Sequence, residues 1–322
     1  MNNFNNKFFE NNIPDPIFRH FDRTASKLLD DSDSGGGDIN FLGVHIPLSV
    51  DALRYEGEYW SGRTSDHWPG DPFVPSPLHE DYFEYVDLLY SICNSKNHFQ
   101  MAEIGAGYGR WILNASEAIK RYIPKKISSS FFVGFEADPE RIAFFHNMMK
   151  VNKIENSCYE LVEKIVVSED TKKKNHTLPY IINKYSAAKF GGMTVDDSRD
   201  NLSGRKSISM EDWVQIKDLP TATLIDTCSK YGIFDFMNFD IQNSEIDVIP
   251  GSIDYLNRYV KLVHIGTHSV LADEIVQKTF ADAGWHSRWS FNWRSKINTA
   301  FGKSISFRDG VFSFENPFIQ HD

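Results

Sequence analysis

From residue 79 onward, apolar and polar positions follow two alternating periods. Tyr82, Tyr85, Val86, Leu88, Leu89 and Ile92 recur at spacings of one to four and predict a helix over 79–95. The next apolar run, 99–104, is short and has no polar face, as a strand buried on both sides would be. The pattern then predicts helix 108–122, strand 130–136, helix 139–151 and strand 158–167. That alternation predicts an α/β domain with a doubly wound, mostly parallel sheet. A charged, Gly/Ser-rich stretch at 169–207 interrupts it, least structured over 187–203. Helices near 210–215 and 221–231, strand 234–240, strand 259–265 and helix 269–283 follow. Residues 285–291 and 311–314 read as two last strands, an antiparallel pair at the sheet edge.

Residues 1–77 lie outside this alternation and form an N-terminal extension to a domain spanning 78–322. The Asp-Ser-Asp-Ser-Gly-Gly-Gly-Asp stretch at 31–38 is a flexible joint by composition. Residues 41–77, rich in Trp, Pro and Gly, suit either a lid over a substrate or a wrap around the sheet.

Residues 101–111, Met-Ala-Glu-Ile-Gly-Ala-Gly-Tyr-Gly-Arg-Trp, carry the first chemical signal. A strand turning sharply into a helix needs glycines where the backbone bends and where a ligand comes close. A dinucleotide loop would have a third glycine where this chain has Arg110, and a pyrophosphate avoids an acid such as Glu103 at the loop mouth. A ligand with a sulfonium and an α-amino group gains from that acid.

A second apolar run ends at Glu136, followed by Ala137, Asp138 and Pro139 at a helix start. An acid there can accept hydrogen bonds from ribose hydroxyls, although it lies 31 residues after Gly105 rather than the usual ~20. The runs ending at Asp240 and His268 complete a set. In an open parallel sheet Glu103, Glu136, Asp240 and His268 would share the carboxyl edge, where ligands bind. His264 lies inside an apolar strand and reads as a core histidine.

Four blocks, Glu-Ile-Gly-Ala-Gly-Tyr-Gly (103–109), Gly-Phe-Glu-Ala-Asp-Pro (134–139), Asn-Phe-Asp-Ile-Gln-Asn-Ser-Glu (238–245) and His-Ile-Gly-Thr-His-Ser (264–269), resemble in order those of the FkbM-type S-adenosylmethionine-dependent methyltransferases. The resemblance covers roughly 80–315, with 166–169 similar to the block bordering the adenine and 309–312 with 316–317 to the closing strand. It implies a Rossmann-like methyltransferase sheet, S-adenosyl-L-methionine as cofactor, and O-methylation of a sugar, glycan precursor or natural product. It places Gly105 and Gly107 in the cofactor loop and Glu103 near the methionyl amino group. Glu136 would hold the ribose, with Ala137 and Ser168 near the adenine. The family often has glycine where this chain has Asn243, a residue that tolerates left-handed backbone.

A hydroxyl acceptor must lose a proton, so a base or a metal must help. His268 is the candidate base, with Asp240 assisting. Asp240 and Glu245 with the histidine match the ligand types of a Mg²⁺ or Mn²⁺ site, without a recognised ligand spacing. A nicotinamide-dependent oxidoreductase and a non-catalytic S-adenosylmethionine-binding module remain as alternatives. Trp60, Trp68 and Trp285 could stack on a sugar or belong to the core.

The 322 residues are 41% hydrophobic, with 25 Phe, enough for a sizeable core. A net charge of −10 argues against a nucleic-acid partner. Cys93, Cys158 and Cys228 are widely spaced, with no C-x-x-C pair, which suits a reduced, cytoplasmic setting. No apolar run reaches membrane-spanning length, and no apolar run of signal-peptide length follows Met1. The acceptor and the oligomeric state are not encoded in any motif.

Overall fold

The computed structural model describes residues 16–21, 38–40, 42–46, 80–183, 193–194, 213–298 and 304–319. Seven strands form the central sheet: β1 (Asn97–Ile104), β2 (Ile127–Phe135), β3 (Tyr159–Val162), β4 (Phe236–Phe239), β5 (Leu262–Thr267), β6 (His286–Phe291) and β7 (Gly310–Glu315). Their order is β6-β7-β5-β4-β1-β2-β3. Strands β3-β2-β1-β4-β5 pair in parallel, while β7 runs antiparallel to both β5 and β6. This is a doubly wound sheet in the Rossmann order, with one reversed strand inserted between the fifth and sixth. The expected antiparallel pair does occupy the sheet edge, with β7 as its inner member.

Five helices cover the sheet: α1 (Glu80–Asn94), α2 (Arg110–Tyr122), α3 (Pro139–Val151), α4 (Glu245–Tyr259) and α5 (Val270–Asp282). Strand side chains alternate between faces, and the core divides accordingly. Phe99 and Met101 pack with Leu88, Ile112 and Phe145 of α1, α2 and α3. Ala102 and Ile104 pack with Val248, Leu256 and Val276 of α4 and α5. Trp285 is core: 6% exposed, edge-on to Phe280, its Nε1 donating to Asn257.

Two expectations change. The run 158–167 is two strands, β3 and Ile165–Val166, because the chain leaves the main sheet between them. The helix expected near 210–215 is instead the start of strand Trp213–Ala222, whose Trp-Val-Gln-Ile opening has period two. That strand pairs with Ile165–Val166 and with Thr177–Asn183, which also pairs with Met193–Thr194. The segment after β3 therefore contributes to a second, four-stranded sheet.

Of residues 1–77, the described parts lie on the core. Phe18, Phe21, Leu42 and Val44 are buried, and Asn40 donates to Asn114 of α2 at 2.7 Å. Residues 31–37, most of 41–77 with Trp60 and Trp68, and 187–203 except Met193 and Thr194 lie outside the described residues. Among the described residues, Cys93, Cys158 and Cys228 are free thiols, and no helix is long and apolar enough to cross a membrane.

Candidate active site

The loop after β1 is built around backbone contact. Gly105 has φ +85°, and a Cβ there would lie 2.0 Å from the Asp240 carbonyl oxygen. The amides of Gly105 and Ala106 both donate to the Phe135 carbonyl, at 3.0 and 2.7 Å. The loop is thus clamped between the ends of β4 and β2. Gly109 is the N-cap of α2, with φ +83° and no side chain to cap the helix. Glu103 takes over that task from the strand: its carboxyl oxygens accept the Trp111 and Ile112 amides at 3.2 and 3.1 Å. It is 3% exposed, and burial pushes its carboxyl up to about 8 against the pull of those two amides. Arg110, in the position of a third glycine, pairs with Asp81 of α1.

Glu136 joins two loops. Its Oε2 accepts the Gly107 amide and its Oε1 the Ala137 and Asp138 amides, all at 2.8 Å. Burial raises its carboxyl, opposed by Arg141 and the Asp138 and Gly107 amides. Asp138 then caps α3 through Glu140, with Pro139 at the first helical position.

At the ends of β4 and β5, His268 sits between two carboxylates. Its Nε2 is 3.2 Å from Asp240 Oδ1, and its Nδ1 is 3.4 Å from Glu245 Oε1. His268 is 4% exposed and Glu245 fully buried, while the Asp240 side chain is half-exposed. Burial alone would lower the imidazole; Glu245 and Asp240 outweigh it and hold His268 well above its ordinary range. Asp240 is lowered because its bond to His268 overrides burial. The two acids therefore favour the protonated ring. The metal reading does not fit. The two carboxylates meet opposite ring nitrogens, and Glu245 Oε1 also accepts the Ile241 amide at 2.9 Å. Among the described residues no group of three or more His, Cys, Asp or Glu is placed to hold a metal ion. The turn between Asp240 and Glu245 does use left-handed backbone, with φ 53° at Gln242 and 83° at Asn243.

One cavity of about 780 Å³, counting its open mouth, joins these parts. Glu103, Gly105, Gly107, Asp240 and His268 line it. Its wall, among the described residues, does not include Glu136, Ala137 or Ser168. Ala137 packs on the Ile165–Val167–Tyr180 cluster. Ser168 caps the short helix Glu169–Lys174, and its hydroxyl donates to Asp247 of α4 at 2.7 Å. The sequence reading missed α1, which adds Glu80, Asp81 and Glu84 to the wall. It also missed Asn238, level with Glu103 and His264 across neighbouring strands. The signal was available: acids at 80, 84 and 87 stand about one helical turn apart. His264 is core, as read, with Nδ1 2.7 Å from Asp87. Asp87 also accepts from Arg288 and Trp289, at 3.0 and 2.9 Å.

No family model matches the chain. It is 27% identical over 293 residues to a curated protein of Jannaschia sp. (strain CCS1) named "Putative methyltransferase", covering 89% of this chain and 95% of that one. Among solved structures, the O-methyltransferase of Bacillus cereus in complex with SAH matches at TM-score 0.38 and 10% identity, over 92% of this chain and 99% of that one. The precorrin-6y C5,15-methyltransferase of Geobacter metallireducens matches at TM-score 0.38 and 11% identity, over 71% and 85%. The FkbM methyltransferase of Methylobacillus flagellatus matches at TM-score 0.38 and 12% identity, over 69% and 44%.

Proposed function

We propose that this protein is an S-adenosylmethionine-dependent methyltransferase of the FkbM type. Its acceptor on this reading is a hydroxyl of a sugar, a glycan precursor or a natural product. The observation that carries the proposal is Glu103 closing the N-terminus of α2. In dinucleotide-binding folds that terminus is left open for the pyrophosphate, which its N–H groups bind. Here a buried carboxyl takes the Trp111 and Ile112 amides. With those amides taken, the helix start has fewer free N–H groups for a pyrophosphate, which weighs against the nicotinamide alternative. The Jannaschia relative supports the same class.

The residues fit this cofactor. Gly105 and Gly107 form the loop that lines the cavity, along a wall that is rich in carboxylates. The donor supplies an already activated methyl group, so the protein's task is proximity and orientation. Asp240, half-exposed at the cavity, accepts a hydrogen bond from the acceptor hydroxyl and aims its oxygen. His268, whose protonated form the two acids favour, holds Asp240 in place. Glu136 meets the ribose by exchanging part of its hold on Gly107, with Ala137 and Ser168 behind it as the adenine border.

Calorimetric titration with S-adenosylhomocysteine, with and without Mg²⁺, tests the reading. Micromolar binding unaffected by Mg²⁺ is expected. Glu136→Ala should weaken it at least ~10-fold while the fold persists, since charge-assisted bonds contribute roughly 1.5–3 kcal/mol. Folded wild-type protein that fails to bind overturns the methyltransferase reading. Methyl transfer to any member of a sugar panel separates an enzyme from a binding module.

A further inference from the structure

The carboxyls on the cavity wall are Glu80, Asp81, Glu84, Glu103, Asp240 and Asp309. Glu80 accepts the amides of Arg308 and Asp309, Asp81 pairs with Arg110, Glu103 holds two amides, and Asp240 meets His268. Glu84 differs. Among the described residues its carboxyl accepts no hydrogen bond and makes no ion pair, although it stands on the same wall. Its electrostatic neighbours are Asp81, Arg110, Asp240 and Glu80, so it lies between the start of α2 and the end of β4. A second acceptor in the same cavity is also unsatisfied. Asn238 is 1% exposed, and its Oδ1 has no hydrogen-bond partner among the described residues. Glu84 is partly buried and Asn238 fully so; an unpaired acceptor there is costly, and a positive charge delivered by a ligand relieves both.

We propose that Glu84, with the Asn238 carbonyl on the same cavity wall, is the counter-charge for the donor's sulfonium, so the pocket holds the charged donor more tightly than its neutral product. The inference rests on the methyltransferase reading and deepens it. In the transfer the methyl–sulfur bond breaks and both electrons remain on sulfur, which becomes a neutral thioether. The methyl joins the acceptor oxygen, whose proton passes to the Asp240 carboxylate that accepts its hydrogen bond and from there to solvent. The positive charge opposite Glu84 disappears in that step. Burial first, then Asp81, with smaller contributions from Asp240 and Glu80 against the pull of Arg110, raises the Glu84 carboxyl well above its ordinary range. Loss of the cation restores that unfavourable state, and product release follows.

The test is calorimetric titration of wild-type protein and Glu84→Gln with S-adenosylmethionine and with S-adenosylhomocysteine, which differ only in the methyl group and the charge. A partly buried carboxylate on the same cavity wall supports a preference of about 10-fold for the charged ligand. We expect that preference in the wild type and a ratio near one in Glu84→Gln, with S-adenosylhomocysteine affinity little changed and thermal unfolding confirming the fold. If the variant does not fold, the wild type is titrated with an analogue carrying a protonated amine in place of the sulfonium. Its binding should match the charged donor rather than the thioether. A wild-type ratio near one, or a ratio preserved in Glu84→Gln, overturns the assignment of Glu84. Failure of both ligands to bind folded wild-type protein overturns the methyltransferase reading itself.

Discussion

Glu103→Gln should change how stability depends on pH. In the folded chain burial keeps the Glu103 proton up to about pH 8, whereas an ordinary glutamate releases it near 4.5. Between those limits the folded state binds one more proton than the unfolded state at this group. The group's contribution therefore falls as pH rises, by about 1.4 kcal/mol per pH unit, and levels off above the folded value. Glutamine does not titrate, so the variant lacks this slope. The variant keeps one acceptor for two amides, those of Trp111 and Ile112. The stranded amide costs about 1–3 kcal/mol at any pH. The wild type should thus be the more stable protein near pH 5, and the two curves should converge and cross toward neutral pH. Denaturant unfolding of both proteins at pH 5.5, 6.5 and 7.5, at constant ionic strength, reads the difference directly. Parallel curves, or a wild-type advantage that grows with pH, would show that Glu103 is ionised throughout and refute the reasoning.

Gly105→Ala should cost at least ~2 kcal/mol, from the left-handed backbone and from a Cβ placed 2.0 Å from the Asp240 carbonyl. It should also abolish S-adenosylhomocysteine binding by calorimetry; wild-type values for both would remove the loop from the site. Asp87→Ala strands His264, Arg288 and Trp289 donors in the core and should lower stability by about 3–5 kcal/mol. A thermal midpoint within a degree of wild type would contradict that. The His268 imidazole, followed by NMR, should titrate well above 6.5 and move down in Glu245→Gln. Because its folded value is raised, the stability it contributes is complete below about pH 6.5 and fades as pH rises through the folded value. The penalty of Glu245→Gln should therefore shrink in alkaline solution.

The alternation of periods was enough to read the sheet, because each strand of the carboxyl-edge site is a short apolar run ending in an acid or histidine. Asn243 was legible as a left-handed turn residue from its type alone. What the sequence could not show is which groups face one another. Asp240, His268 and Glu245 were all singled out, yet the proton state of His268 depends on the two acids lying at opposite ring nitrogens. Glu84 is different. The spacing of Glu80, Glu84 and Asp87 was legible, but among buried Tyr82, Phe83, Tyr85 and Val86 nothing local showed that this side of α1 borders the cavity. Strand Trp213–Ala222 was missed because its partners, Ile165–Val166 and Thr177–Asn183, belong to a separate sheet that no local pattern announces.

The position of β7 has a consequence for synthesis. It is the last strand of the sheet in sequence, yet it lies inside, between β5 and β6. Until it emerges, the edge of β5 stays open and β6 has no neighbour to pair with. At 5–20 residues per second, that interval lasts roughly 2–10 s on the ribosome. An open edge carrying Val263 and Ile265 can recruit other chains during that time. A nascent chain stalled before Gly310 would lose two strands rather than one, because β6 pairs only through β7 among the described strands.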